Sequence, residues 1–273
     1  MKIINLIENT PGVKGCLYEH GLSFYIETDH HKILVDAGKS DNYMQNAELL
    51  GVDLTQVDMA FLSHGHYDHS GGLMSFAQIN PAAKIYMQKS AGDNYYHVDP
   101  QRVEYIGIDP NLLGLQQVHL LDGDIKLDDE ISIFTDVKGR RLWPKGNLTL
   151  KKRTDDGDLQ DEFEHEQYMV LSVDDKKFLV SGCAHNGILN ILEKYRELYG
   201  GDPDVIISGF HMMKHSGYTE EDEAIICQIA HELKNTKIQL YTGHCTAEYP
   251  FELMKQILGD QLVWVHSGEQ VEL

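Results

Sequence analysis

Residues 63–72 read SHGHYDHSGG, and the reading of these ten positions decides the fold. Three imidazoles and a carboxylate (His64, His66, Asp68 and His69) fall within six positions, followed by Gly71 and Gly72. Imidazoles this close repel one another when protonated, and a turn this short cannot bury them apart. Either the cluster is an exposed polar loop or a cation holds it together. The preceding run, VDMAFLSHG (57–65), is nearly all apolar and reads as a buried strand. It delivers the cluster at a strand's C-terminal end, where α/β proteins gather their ligands. His64 and His66, two apart on an extended turn, can face one ion, and Asp68 and His69 a second beside it. Nitrogen and carboxylate donors in this mix suit Zn²⁺ and related divalent ions. The paired glycines let the following helix start pack closely on the site.

Around this cluster the chain reads as alternating strands and helices. Strands are expected at 2–7, 22–28, 32–38, 84–88, 117–121, 131–135, 168–173, 177–181, 204–208, 238–242 and 262–266. Helices are expected after Asp41 as N-cap, with Gly51 as the stop, and over 187–199, 219–234 and 250–258. Thr219 followed by Glu220, Glu221, Asp222 and Glu223 is an N-cap with acids in the first turn, as the helix macrodipole favours. Residues 89–115 and 136–165 resist assignment to the core and read as long loops inserted in a single domain spanning 1–273.

A second ion needs ligands from other strand ends, and three segments qualify. LVSGCAHNG (179–187) carries Cys183 and His185, ISGFHMM (207–213) carries His211, and LYTGHCT (240–246) carries His244. His30, His31, His97, His119, His215, His231 and His266 read as ordinary hairpin, strand or helix-surface residues.

Composition narrows the partners. Among 273 residues, 43 are acidic and 23 basic, a net charge of −20 with histidine neutral. That field repels nucleic-acid backbones and anionic membrane surfaces, so a small-molecule substrate is expected, with no nucleic acid and no membrane. An anionic substrate would need local positive charge, which metal ions supply. Four scattered cysteines fit a reducing compartment, and the N-terminus lacks a signal-peptide pattern, so a cytoplasmic location is expected.

LVDAG (34–38), SHGHYDHSGG, a later strand-end segment and TGHCT (242–246) together resemble the metallo-β-lactamase superfamily along essentially the whole chain. The resemblance implies an α/β fold, a four-layer αβ/βα sandwich with two divalent metal ions at one edge. By the same resemblance His64, His66 and His185 would hold the first ion and Asp68, His69 and His244 the second. Asp36 would orient a ligating imidazole from behind. More narrowly, SGCAHNGILNIL (181–192), GFH and TGHCT resemble the branch containing the dihydropterin ribofuranosyl-aminobenzene phosphate synthases. The chain departs from the wider superfamily in carrying Cys183 where most members have a bridging Asp. The usual histidine one strand earlier is matched by His165, an alternative to His185 as first-site ligand. His66 stands where oxygen-reducing di-iron relatives carry Glu, which favours zinc, with manganese or iron also fitting.

Two such ions can share a hydroxide made nucleophilic at neutral pH. The expected function is therefore metal-dependent hydrolysis of a small, phosphorylated or pterin-like molecule, with Asp68 and His211 as catalytic residues. A pterin-conjugate synthase of the same fold and a non-catalytic metal or ligand sensor are the alternatives. Tyr95, Tyr96 and Tyr105 could stack on a flat ring, and Lys138, Arg140, Arg141 and Lys145 could meet a phosphate.

Overall fold

Alternation of side chains along each strand sets the layers. In Lys32–Val35, Ile33 and Val35 point to one side and Leu34 to the other, the period of two that an extended chain imposes. Ile33 and Val35 join Phe24, Ile26 and Phe61 against Phe178, Val180 and Ile207 of a facing sheet. Leu34 joins Leu62, Phe76 and Ile85 beneath a helical layer. The computed structural model describes residues 1–214 and 216–272, and it is the four-layer αβ/βα sandwich that the resemblance implies.

One seven-stranded sheet runs Gln270–Glu272, Lys2–Ile7, Ser23–Glu27, Lys32–Val35, Met59–Phe61, Lys84–Gln88, Val118–Leu121 from edge to edge. The other runs Leu262–Trp264, Gln239–Thr242, Val205–Ile207, Lys176–Val180, Tyr168–Val173, Ile131–Phe134, Ile125–Lys126. Helices Asn42–Leu49 and Leu73–Ile79 cover the first, and Ile188–Tyr199, Glu220–Lys234 and Glu248–Leu258 cover the second.

Parallel register brings the candidate residues together. Phe178 pairs with Val205 and Val205 with Gln239, so these three strands end at one edge. The loops after them carry Cys183 and His185, His211, and His244. In the first sheet Ile33 pairs with Met59, so Asp36 and His64 leave the same edge side by side.

Several expected elements are shorter than their apolar runs. The regular strand within 57–65 is only Met59–Phe61, because the backbone beyond it turns to present the histidines. Thr219 caps its helix through a reciprocal capping box with Asp222, whereas Asp41 precedes its helix without a side-chain capping bond. The two long insertions are not simple loops. Tyr95–Val98 pairs with Leu150–Thr154, and with Val103–Tyr105 and Gly157–Gln160 they form a four-stranded sheet. Its small core of Tyr95, Ile106, Leu150 and Phe163 forms only when the two insertions meet. Pairing across fifty residues between polar strands such as KKR leaves no local signal.

The paired glycines act as expected. A Cβ on Gly71 would lie 2.1 Å from the Lys39 carbonyl oxygen, and one on Gly72 would lie 2.3 Å from the Tyr43 ring and 2.5 Å from the Ala37 oxygen. Gly71→Ala therefore forces backbone apart and should lower stability by roughly 1–3 kcal/mol or more. Urea denaturation checks this, and an unchanged midpoint would show that the contact relaxes freely.

Candidate metal centre

The tight turn after Met59–Phe61 buries His64, His66, Asp68 and His69 together, the last two on the short helix Tyr67–Ser70. The hydrogen bonds behind the imidazoles decide which nitrogen each presents. Asp36 accepts from Ser63 N (2.7 Å), Ser63 Oγ (2.7 Å) and His69 Nδ1 (2.6 Å). Because the Ser63 hydroxyl donates to Asp36, its oxygen accepts from His64 Nδ1 at 2.9 Å. Asn147 Oδ1 accepts from His185 Nδ1 at 3.0 Å, and Asn9 Oδ1 from His244 Nδ1 at 2.8 Å. His64, His185 and His244 thus keep an unprotonated Nε2 turned inward, and His69 turns its Nε2 the same way. Burial disfavours the charged form of His69, but Asp36 and Asp68 raise its pKa to about 9, so a metal ion there displaces a proton.

These nitrogens meet one another. His185 Nε2 lies 3.3 Å from His64 Nε2, and His69 Nε2 lies 3.2 Å from His244 Nε2. Two lone pairs facing at that distance repel unless a proton or a metal ion lies between them. At His64 and His185, whose rings are held neutral, the donors fit a divalent ion, and at His69 and His244 an ion would take the place of the His69 proton. Burial, then the neighbouring imidazoles, holds His64 and His185 well below the ordinary histidine range. Burial, then His69, does the same for His244. Rings kept neutral at pH 7 are ready as ligands.

His66 packs 4.6 Å from His64 and 4.8 Å from His185 between ring centroids, and its buried Nε2 has no hydrogen-bond partner among the described residues. Asp68 places Oδ2 3.5 Å from His244 Nε2 and 3.7 Å from His69 Nε2. Burial opposes its ionisation, but His69 and a hydrogen bond from His20 hold it well below the usual carboxylate range. The six residues named by the resemblance thus lie in one buried cluster, in which a ring nitrogen of His66 falls within 4.8 Å of ligand atoms of Asp161 and His165.

His165 does not join the facing pairs. Its Nδ1 accepts from Gly65 N at 2.9 Å and its Nε2 faces Asp161 at 3.1 Å, so both nitrogens are engaged in holding the turn. Cys183 Sγ lies 3.2 Å from His69 Nε2 and within 4.8 Å of the free nitrogens of both pairs. Burial, then Cys245, raises its thiol well above the ordinary value. In this metal-free cluster the thiol is neutral, and we read it as packing beside bound metal rather than bridging it. Cys183→Ser should accordingly retain most of its metal. Elemental analysis showing loss of both ions would instead make the sulfur a bridging ligand.

Several contributors carry no sequence signal. His20 reaches Asp68 Oδ2 at 3.2 Å from a loop 48 positions away. Two buried carboxylates hold the outer segments: Glu166 accepts from His185 N (2.6 Å) and Asn186 N (2.9 Å), and Glu8 accepts from His244 N at 3.0 Å. Asp36, Ala184, His211 and His244 all take positive φ, a costly backbone that the surrounding bonds enforce.

His211 faces the same centre, its ring 4.0 Å from that of His185, with a buried Nδ1 that has no partner among the described residues. The other expectations around the site change. Tyr95 is buried against the His165 ring at 4.1 Å and Tyr96 packs edge-on to Tyr105, so neither offers a stacking platform. Lys138, Arg140, Arg141 and Lys145 are engaged by Asp136, Glu162, Glu232 and Glu221. His31 and His97 meet Asp128 and Asp99, His119 packs on Tyr86, and His30 and His231 are exposed. His215 lies outside the described residues.

Known proteins resemble this chain along its length. The profile of the metallo-beta-lactamase superfamily matches residues 19–230. The 7,8-dihydropterin-6-methyl-4-(beta-D-ribofuranosyl)-aminobenzene-5'-phosphate synthase of Methanocaldococcus jannaschii is 24% identical over 292 residues, covering 100% of this chain and 96% of that one. Protein MJ0448 of the same organism is 25% identical over 274 residues, 97% of each chain. The crystal structure of Tm1679, a metal-dependent hydrolase of the beta-lactamase superfamily, matches with a TM-score of 0.84 at 25% identity, covering 100% and 99% of the two chains.

Proposed function

The chain belongs to the metallo-β-lactamase superfamily, and from that premise we propose that it is a metal-dependent hydrolase of a small phosphoester. The observation that carries the reading is the two pairs of facing, buried imidazole nitrogens at 3.3 and 3.2 Å, flanked by Asp68. In this reading His64, His66 and His185 hold one divalent ion and Asp68, His69 and His244 the other, with zinc favoured by the nitrogen-rich set. Bound there, the two ions supply Lewis acidity and an acidified water.

The chain's own residues do the rest. Asp36, Ser63, Asn147 and Asn9 fix ring orientation from behind, and Glu166 and Glu8 fix the loops. His211 is left to donate to a phosphoryl oxygen or a leaving group, because the six ligands already complete the set. A synthase is the second reading, favoured by the 24% identity along the whole chain to the dihydropterin-linked enzyme. Among the described residues no helix is long and apolar enough to cross a membrane, which is compatible with a cytoplasmic site of action.

Elemental analysis of protein purified without chelator should give close to two divalent ions per chain, with turnover of bis(p-nitrophenyl) phosphate lost on chelation and restored by zinc or manganese. A stoichiometry near zero that added metal does not rescue would refute the dinuclear reading. Metal without phosphodiester turnover, joined to product formation from a pterin diphosphate and an aminobenzene ribotide, would select the synthase.

A further inference from the structure

A single backbone group sets the direction of a hydrogen-bond chain that joins two ligands of the second ion, that of Asp68, His69 and His244. Gly21 N–H can only donate, and it reaches Asn9 Oδ1 at 3.3 Å. This turns the Asn9 amide oxygen towards Gly21 and His244, whose Nδ1 lies 2.8 Å from the same oxygen. Asn9 Nδ2 is then the donor at its long, 3.4 Å contact with His20 Nδ1. A neutral imidazole that accepts at Nδ1 carries its proton on Nε2. His20 Nε2–H accordingly donates to Asp68 Oδ2 at 3.2 Å, where a carboxylate can only accept. The bonds run from His244 to Asn9, from Asn9 to His20 and from His20 to Asp68, each with its direction fixed.

The segment that carries both residues is mostly exposed and without regular structure over 11–20, yet it is firmly anchored. Glu19 accepts from Lys39 N (3.1 Å), Ser40 N (2.9 Å), Ser40 Oγ (2.7 Å) and Asn42 Nδ2 (2.7 Å). Gly21 passes close to the helix Tyr67–Ser70, where a Cβ would lie 2.8 Å from the Asp68 carbonyl oxygen. Leu22 N donates to that oxygen at 3.1 Å. These anchors hold His20 over Asp68 although 45% of its side chain is exposed. The facing pair of His64 and His185 leans instead on Ser63 and Asn147, from other parts of the chain.

We propose that Asn9 and His20 act as one clamp on Asp68 and His244, so that the segment 9–21 sets the affinity of the second ion and leaves the first alone. Both are positioning residues, since each acts through a ligand. A carboxylate oxygen has lone pairs for an ion and for an N–H together, so the His20 bond is compatible with a bound ion. The clamp presupposes the two-ion reading above.

Competition for zinc against a chromophoric chelator, with the full chain, tests it. The wild type should yield two ions. His20→Phe, which keeps a ring but no donor, should weaken one ion by about 10–100-fold and leave the other unchanged. His20→Gln, whose amide N–H can take the place of Nε2–H, should recover most of that loss. Asn9→Ala should weaken the same ion, and His20→Phe should cost less in that background than alone, because the two residues work through one chain. In Asp68→Ala, where the first ion is expected to remain, His20→Phe should change nothing. His20→Ala replaces the Phe variant if circular dichroism shows the latter unfolded. Equal loss in His20→Gln and His20→Phe would make His20 a direct ligand and overturn the clamp, as would independent effects of Asn9→Ala and His20→Phe. Two ions indifferent to these variants would remove the clamp alone, whereas a wild type that binds no zinc would remove the two-ion reading and the clamp with it.

Discussion

Asp68→Ala is expected to reduce bound metal from about two ions to about one and to lower phosphodiester turnover by about 10²–10³-fold or more. Asp68 brings the oxygen donor to a cluster otherwise built of imidazoles, 3.5 Å from His244 Nε2 and 3.7 Å from His69 Nε2. It is buried and held ionised by His69 and by the hydrogen bond from His20. Removing it takes away both a ligand and the negative charge that tempers two adjacent cations. The pair of His64 and His185 is anchored by Ser63 and Asn147 and does not depend on Asp68, so one ion should persist. Metal analysis and turnover on the same preparation decide the matter. Two ions with full activity in the variant would show that Asp68 is neither ligand nor catalyst. Asp68→Asn keeps the shape and removes the charge, so a matching loss in that variant assigns the effect to the carboxylate rather than to a cavity.

His211→Ala should produce the opposite division, with both ions retained and turnover lowered by roughly two orders of magnitude. His211 stands at the end of Val205–Ile207 in the same manner as the loops bearing His185 and His244, but its ring packs beside His185 rather than facing another ring nitrogen. Its backbone is held at φ 47°, with His211 N donating to Cys245 Sγ at 3.3 Å. A strained main chain and a buried, unpartnered Nδ1 are difficult to explain as mere packing and fit a group kept for a ligand. Loss of one ion would make His211 a metal ligand. Unchanged turnover would leave it as a strand-end cap.

The local part of the protein was legible in its sequence. Ten residues, 63–72, leave two readings, an exposed polar loop or a metal-binding turn, and the burial of all four side chains removes the first. Period-two runs such as KILV and the apolar strand before the cluster announce a layered α/β fold, and Gly-Gly announces close packing, which the contacts of Gly71 and Gly72 bear out. Thr219 and its following acids announce a helix start, and the capping box is there. Each of these rests on neighbours a few positions apart, so the physics is written in a short window.

What depends on distant partners was decided only by the tertiary structure. Whether His185 or His165 meets His64 turns on which ring nitrogens are already engaged, and His165 is occupied by Gly65 and Asp161. The inward nitrogens are set by Asn9, Ser63, Asn147 and Asp36, residues whose types are common anywhere in a chain. Glu8 follows the strand Lys2–Ile7 with nothing local to mark its role, yet folding buries it under His244. The insertions 89–115 and 136–165 pair with each other because each covers the other's apolar residues, a gain that neither obtains alone. Hydrogen-bond direction and shared burial are properties of pairs, and a pair separated by a hundred residues exists only once the chain has folded.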